Sequence, residues 1–245
     1  MESQPPKKRN QTALVTGGAL RIGAAISVAL AKSGWNVVVH VNQSRKQGEV
    51  LCETLRTYGV EAWLVVADMG LPGAATTLFE ESCRLAGQLD GVVNNAALFS
   101  LKTEMADRER ERLFRVNLDQ PVELIHSLHD HLIARKAKGA AVNLSDQRIF
   151  RISREEATPY ELSKMLLADV TLDEARACAP FLRVNALAPG AVISPSETSN
   201  KEAAGRFLLE RRPTLAEVAE GVRWLLEAES VTGQTLYIDG GQHLV

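Results

Sequence analysis

The chain has 245 residues, of which 45% are hydrophobic and 24% charged, and a formal net charge of -2 at pH 7. That length suits one large α/β domain with a sizeable core, and the composition excludes a disordered chain. The near-neutral balance offers no footprint for nucleic acid or anionic lipid, and no stretch approaches the ~18 apolar residues of a membrane span.

Residues 1–11, MESQPPKKRNQ, have no apolar segment of the secretory kind and read as a solvated, disordered tail, so the expected location is cytoplasmic. From Thr12 onward, short apolar runs alternate with amphipathic stretches. Strands are expected at 12–16, 36–41, 61–67, 91–95, 140–145, 182–188 and 235–239, and helices near 22–33, 45–58, 72–87, 105–136, 158–178 and 214–228. Strands that are apolar throughout must be covered on both faces. The alternation therefore predicts a Rossmann-like doubly wound parallel sheet of about seven strands with helices on both faces, as a single domain over 12–245. Residues 193–213 are poorly patterned and form a candidate lid over a ligand.

Three other features carry no function in this reading. His126, His129 and His131 of HSLHDH cannot share one helix face, so no metal site is expected. The run ADRERERLFR, 106–115, reads as an exposed helix with internal ion pairs. Cys52, Cys83 and Cys178 are far apart with no C-x-x-C pair, and read as reduced packing residues.

The first strand leads into TGGALRIG, which places Thr16, Gly17, Gly18 and Gly23 before the first helix. Backbone amides at a helix N-terminus can hold a pyrophosphate there, so a dinucleotide site is expected. The end of the second strand reads HVNQSRKQ, with no acid between Val37 and Gly48 to accept from ribose hydroxyls. Ser44 and Arg45 could instead hold a 2′-phosphate, with Arg21 as a second cation, which favours NADPH over NADH.

Tyr160 and Lys164 are four residues apart at the start of a helical segment, so they can lie on one face. An ammonium ~4 Å from a phenol contributes on the order of 4 kcal/mol at an effective dielectric of 20, enough to lower a tyrosine pKa by as much as ~3 units if desolvation does not oppose it.

With these motifs in order, the chain resembles the short-chain dehydrogenase/reductase family from Thr12 to its C-terminus. The matches are TGGALRIG, Asp68 after the third strand, NNAA at 94–97, Asn117 in RVNLD, YELSK, NALAPG and TGQTLYIDGG. The resemblance implies an adenine contact for Asp68 and cofactor contacts for Gly17, Ile22, Gly23, Asn95, Ala96, Ser145, Pro189, Gly190 and Ser194. It also implies a proton-relay role for Asn117 and a ribose contact for Lys164. A homotetramer or dimer through helices 105–136 and 158–178 is expected on the same basis.

Three departures narrow the reading. Arg21 replaces a loop glycine, Phe99 follows in NNAALF, and Asp146 stands where the family has a serine that donates to a carbonyl. A carboxylate can only accept, and beside Tyr160 it raises the phenol's pKa. The three together resemble the pteridine and dihydromonapterin reductases, in which an aromatic residue stacks the pterin. The expected activity is thus reduction of a dihydropterin, with Tyr160 and Asp146 managing the proton and Phe99 stacking the ring. The alternatives are a carbonyl reductase of 3-oxoacyl thioesters or small ketones that uses Ser145, and a non-catalytic dinucleotide-sensing or interaction protein.

Overall fold

The computed structural model describes residues 11–150, 152–192 and 207–245. Ser194 and positions 193–206 of the expected lid lie outside the described residues, as do residues 1–10 of the tail.

Seven strands form one parallel sheet in the order β3-β2-β1-β4-β5-β6-β7. They are β1 (Thr12–Val15), β2 (Asn36–Val41), β3 (Ala62–Val66), β4 (Gly91–Asn94), β5 (Gly139–Leu144), β6 (Leu182–Pro189) and β7 (Thr235–Ile238). The doubly wound reading is correct, and each expected strand is present to within a residue or so at its ends. The helices are α1 (Arg21–Lys32), α2 (Arg45–Arg56), α3 (Ala74–Ala86), α4 (Asp107–Phe114), α5 (Gln120–Arg135), α6 (Pro159–Ala177) and α7 (Leu215–Glu227).

Alternation along each strand sends neighbouring side chains into two separate cores. Ala13, Val15, Val37, Val39, Val93, Val142 and Leu187 pack with Ile26 and Leu30 of α1 and Val218 and Val222 of α7. Leu14, Val38, Val92, Ala141 and Val184 pack on the opposite face with Leu78 of α3, Leu124 and Leu128 of α5 and Ala175 of α6. Residues on both sides of β1, β2, β4, β5 and β6 are buried, which is why these strand sequences lack polar alternation, while the edge strands β3 and β7 are partly exposed.

The expected helix 105–136 runs without interruption from Asp107 to Arg135, with a π-helical turn inside it. Pro121, in the first turn of α5, has no N–H to donate back to the preceding turn. The connecting turn Arg115–Asp119 widens into a π-helix, in which the Gln120 N–H donates to the Arg115 carbonyl. Asn117 sits in that widened turn. Among the described residues, no helix is long and apolar enough to cross a membrane.

Candidate active site

The strand order reverses between β1 and β4, so their carboxyl ends open a crevice where doubly wound sheets place ligands. A cleft of about 580 Å³ lies there, reaching from Asn42 and Asp68 past the glycine loop to Phe99. Gly17 adopts φ +61°, a left-handed value that favours glycine, and a Cβ on Gly23 would fall 2.1 Å from the Gly17 carbonyl oxygen. Thr16 and Asn95 lock this loop to β4. The Thr16 hydroxyl accepts from the N–H groups of Asn95 (2.9 Å) and Ala96 (3.0 Å), and the Asn95 amide donates to the carbonyls of Thr16 and Gly17. Helix α1 starts at this point with no side-chain cap and no acid in its first turn, so its leading N–H groups and its dipole favour an anion.

Arg21 begins α1 with φ +51°, which a side chain rarely adopts. That conformation costs about 1–2 kcal/mol over glycine and holds an exposed guanidinium at the lip of the cleft. Arg21→Gly is expected to stabilise folding by about 1 kcal/mol in urea unfolding and to weaken NADPH binding about tenfold, with NADH binding unchanged. A variant that binds NADPH as the parent does would remove Arg21 from the phosphate site.

Ser44 and Arg45 do not line the described cleft. Ser44 precedes α2 without capping it, and Arg45 is exposed along the helix, 3.8 Å from Glu49. The cleft instead carries His40, a residue the sequence reading missed. His40 Nδ1 accepts from the Gly17 N–H (3.3 Å), and Nε2 donates to the Ala67 carbonyl (3.0 Å). Burial holds its pKa below the ordinary histidine value, which suits a neutral ring with one donor and one acceptor. A polar residue inside the apolar run of β2 was the available signal.

Asp68 accepts from the Gly70 N–H (2.8 Å) and pairs with Arg112 (2.8 Å). The Gly70 N–H first, and Arg112 after it, hold its carboxyl below the usual range. The charge run was expected to pair internally. Arg110 does pair with Asp107, but Arg112, which lines the cleft, crosses to Asp68.

Helix α6, which carries Tyr160 and Lys164, begins at a capping box. The Thr158 hydroxyl accepts from the Glu161 N–H, and Glu161 accepts in return from the Thr158 N–H. Pro159 occupies the first turn and Tyr160 follows directly, fixed at the helix start. Tyr160 is 6% exposed, and its hydroxyl donates to Asp146 Oδ2 at 2.9 Å. The Phe99 ring, 62% exposed, meets the Tyr160 ring edge-on with centroids 4.8 Å apart and planes at 71°. Phe99, Asp146 and Tyr160 are therefore one cluster, as expected.

The expected lowering of the tyrosine pKa is overturned. Burial first, and then Asp146, hold the Tyr160 phenol well above its ordinary value. Lys164, 3% exposed, turns its ammonium onto the Leu144 carbonyl oxygen (2.7 Å). Burial brings the Lys164 pKa down to about 8, with Asp146 opposing that fall. A buried cation favours its neutral form for the same reason a buried phenol does, namely loss of hydration.

Ser145 donates to the Lys164 carbonyl (3.1 Å), so its hydroxyl braces the turn that carries the lysine. Asn117 is fully buried; its amide accepts from the Leu98 N–H (2.8 Å) and donates to the Leu98 carbonyl and the Ser163 hydroxyl, both at 3.0 Å. It thus anchors the segment bearing Phe99 to α6. Pro189 ends β6 and Gly190 follows it, with the Gly190 N–H donating to the Ile238 carbonyl; neither lines the cleft. Among the described residues no group of acids, histidines and cysteines could hold a metal, and the three cysteines are free. His126 pairs with Glu174, and His131 accepts from the Leu89 N–H.

A switch-point crevice with an open helix N-terminus, and a buried tyrosine and lysine one helical turn apart, belong to the class of dinucleotide-dependent oxidoreductases. Comparison with known proteins agrees. Residues 18–243 match the family described as enoyl-(acyl carrier protein) reductase. The chain is 30% identical over 248 residues to glucose 1-dehydrogenase 2 of Bacillus subtilis, covering 96% of this chain and 95% of that one. It is 27% identical over 247 residues to the 3-oxoacyl-[acyl-carrier-protein] reductase FabG of Staphylococcus aureus, covering 97% and 100%. Among solved structures, FolM alternative dihydrofolate reductase 1 from Brucella canis, complexed with NADP, matches with a TM-score of 0.88 at 35% identity, covering 96% and 95%. The chain belongs to the short-chain dehydrogenase/reductase family and is an NAD(P)-dependent oxidoreductase.

Proposed function

We propose that the chain is an NADPH-dependent reductase of a dihydropterin of the dihydromonapterin, dihydrobiopterin or dihydrofolate kind. The observation that carries this reading is the 2.9 Å bond from the Tyr160 hydroxyl to Asp146, set against the exposed Phe99 ring. A simple ketone wants a second donor beside the tyrosine. This site offers an acceptor and an aromatic platform, which suit a flat ring carrying N–H groups. Ser145, the donor the carbonyl-reductase alternative requires, is bonded away to Lys164. Similarity to the Brucella alternative dihydrofolate reductase supports the same choice.

The residues present fit a nicotinamide dinucleotide. The uncapped start of α1 and the Gly17–Gly23 cradle form an anion site, and the cleft volume is in the range of cofactor pockets. Gly17, Arg21, Ile22 and Gly23 would hold the pyrophosphate, and Asp68 the adenine. Arg21 would also take the 2′-phosphate, joined by Ser44 and Arg45; the exposed Arg45–Glu49 pair costs little to break. Asn95, Ala96, Ser145, Pro189, Gly190 and Ser194 would lie toward the nicotinamide, and Lys164 would hold its ribose. NADPH supplies the hydride when bound. Tyr160 holds the proton and, with Asp146, hands it to a ring nitrogen; Asn117 fixes Leu98 and with it the approach of Phe99. The assembly we propose is a homotetramer or dimer through α4–α5 and α6.

The test follows NADPH consumption with dihydropterins, 3-oxoacyl thioesters and small ketones at saturating cofactor. Turnover on a dihydropterin is expected. Absence of turnover on every pterin overturns the reading.

A further inference from the structure

Arg148, two residues beyond Asp146, belongs to no motif recognised in the sequence. It lies in the 3-10 turn Gln147–Phe150, which starts where the Ile149 N–H donates to the Asp146 carbonyl (3.3 Å). The far end of that turn is held by Phe150, edge-on to the rings of His243 (5.2 Å) and Tyr237 (6.0 Å). The Arg148 backbone N–H donates to Asp146 Oδ1 at 3.0 Å, and its Nη1 donates to Oδ2 at 3.0 Å. One residue therefore ties both carboxylate oxygens and fixes the plane of the group. The Tyr160 hydroxyl arrives on that same Oδ2. On its other side, the guanidinium carbon stands 5.8 Å from the centroid of Phe99, within cation–π range. Phe99 in turn meets Tyr160, so Asp146, Arg148, Phe99 and Tyr160 close a ring of contacts at the end of the cleft.

We propose that Arg148 is the positioning and specificity residue of this site: it aims Asp146 at Tyr160, and with Phe99 it forms a wall that selects a flat heteroaromatic substrate offering an acceptor to the guanidinium and a donor to the carboxylate. The inference rests on the proposed function for its substrate class, while the coupling of Arg148 to Asp146 stands without it. A carboxylate only 14% exposed beside a buried phenol is costly without a counter-charge, and a guanidinium tolerates such a site better than an ammonium. Arg148 also opposes the rise that burial and Asp146 impose on the Tyr160 phenol. With its own side chain 32% exposed, it remains within reach of a ligand entering over Phe99.

The test is a double-mutant cycle of Arg148→Met and Asp146→Asn, with Arg148→Lys as the conservative variant, on the substrate that the parent enzyme reduces fastest. Arg148→Met is expected to lower kcat about tenfold and to raise substrate KM about threefold, with NADPH affinity unchanged. In the Asp146→Asn background the same change should alter kcat less than about twofold, because the group that Arg148 aims is gone. Arg148→Lys should recover most of kcat and little of KM, since a lysine supplies charge without the planar fork. An equal kcat loss in both backgrounds marks a merely structural arginine and overturns the proposal, as does a variant with parental kcat and KM. The cycle is repeated on urea unfolding, which needs no substrate. Coupling there, with no turnover on pterins, retains the Arg148–Asp146 linkage and rejects the dihydropterin reading. Additive unfolding energies with intact pterin turnover reject the linkage alone.

Discussion

Tyr160→Phe is expected to reduce hydride transfer by about 10²–10⁴-fold while leaving NADPH binding near the parental affinity. The substitution removes one oxygen, and that oxygen holds the only proton the phenol can give. Burial first, and then the neighbouring carboxylate, hold the Tyr160 phenol above its ordinary pKa, which favours the protonated form that the proposed acid role needs. The ring contact with Phe99 should survive, because phenylalanine retains the same edge. Loss of the hydroxyl leaves Asp146 Oδ2 with Arg148 as its remaining partner, a cost of about 1 kcal/mol to stability. Single-turnover absorbance of NADPH and a separate binding titration distinguish the two effects. Undiminished turnover would remove Tyr160 from the chemistry; loss of NADPH binding together with turnover would mean that it serves the cofactor instead. Failure of the parent protein to transfer hydride to any substrate would favour the dinucleotide-sensing alternative.

Asp146→Ser should exchange one substrate class for the other. Dihydropterin turnover is expected to fall about tenfold or more, because the acceptor for ring N–H groups and the partner in proton handling are both lost. Turnover of small ketones should rise, since a serine hydroxyl donates where a carboxylate accepts. The Tyr160 pKa should fall, as both the charge and the hydrogen bond of Asp146 act to raise it. Arg148 loses its carboxylate and, being partly exposed, regains some hydration, so the stability cost stays at about 1 kcal/mol. Steady-state kinetics on paired pterin and ketone substrates measure the exchange. If both rates stay at the parental level, Asp146 does not set the substrate class.

Much of the fold was legible because strand and helix formation depend on neighbours in sequence. VVVHV in β2 and AAVNL in β5 are apolar but for His40 and Asn143, and such runs end up between two layers of helices. The long helix over 105–136 was legible in the same way, though the π-helical turn just before Pro121 was not expected. The glycine loop was also legible, since Gly17 and Gly23 permit a backbone that other residues would block.

The sequence alone determined about seven parallel strands, a glycine loop leading into a first helix near residue 22, the Tyr160–Lys164 pair at the start of a helix, and the presence of an acid and an aromatic residue to set beside it. It could not say where those side chains point. Tertiary structure decided that Lys164 bonds to Leu144, twenty residues away, that His40 holds Gly17, and that Arg112 reaches Asp68 across forty-four positions. It decided too that Arg148 closes on Asp146 and Phe99, and that the buried Tyr160 hydroxyl donates to Asp146. Backbone periodicity is a local property with few allowed states. The partner and charge state of a long side chain depend on which strands lie adjacent and how much water they exclude, and only the packed sheet settles both.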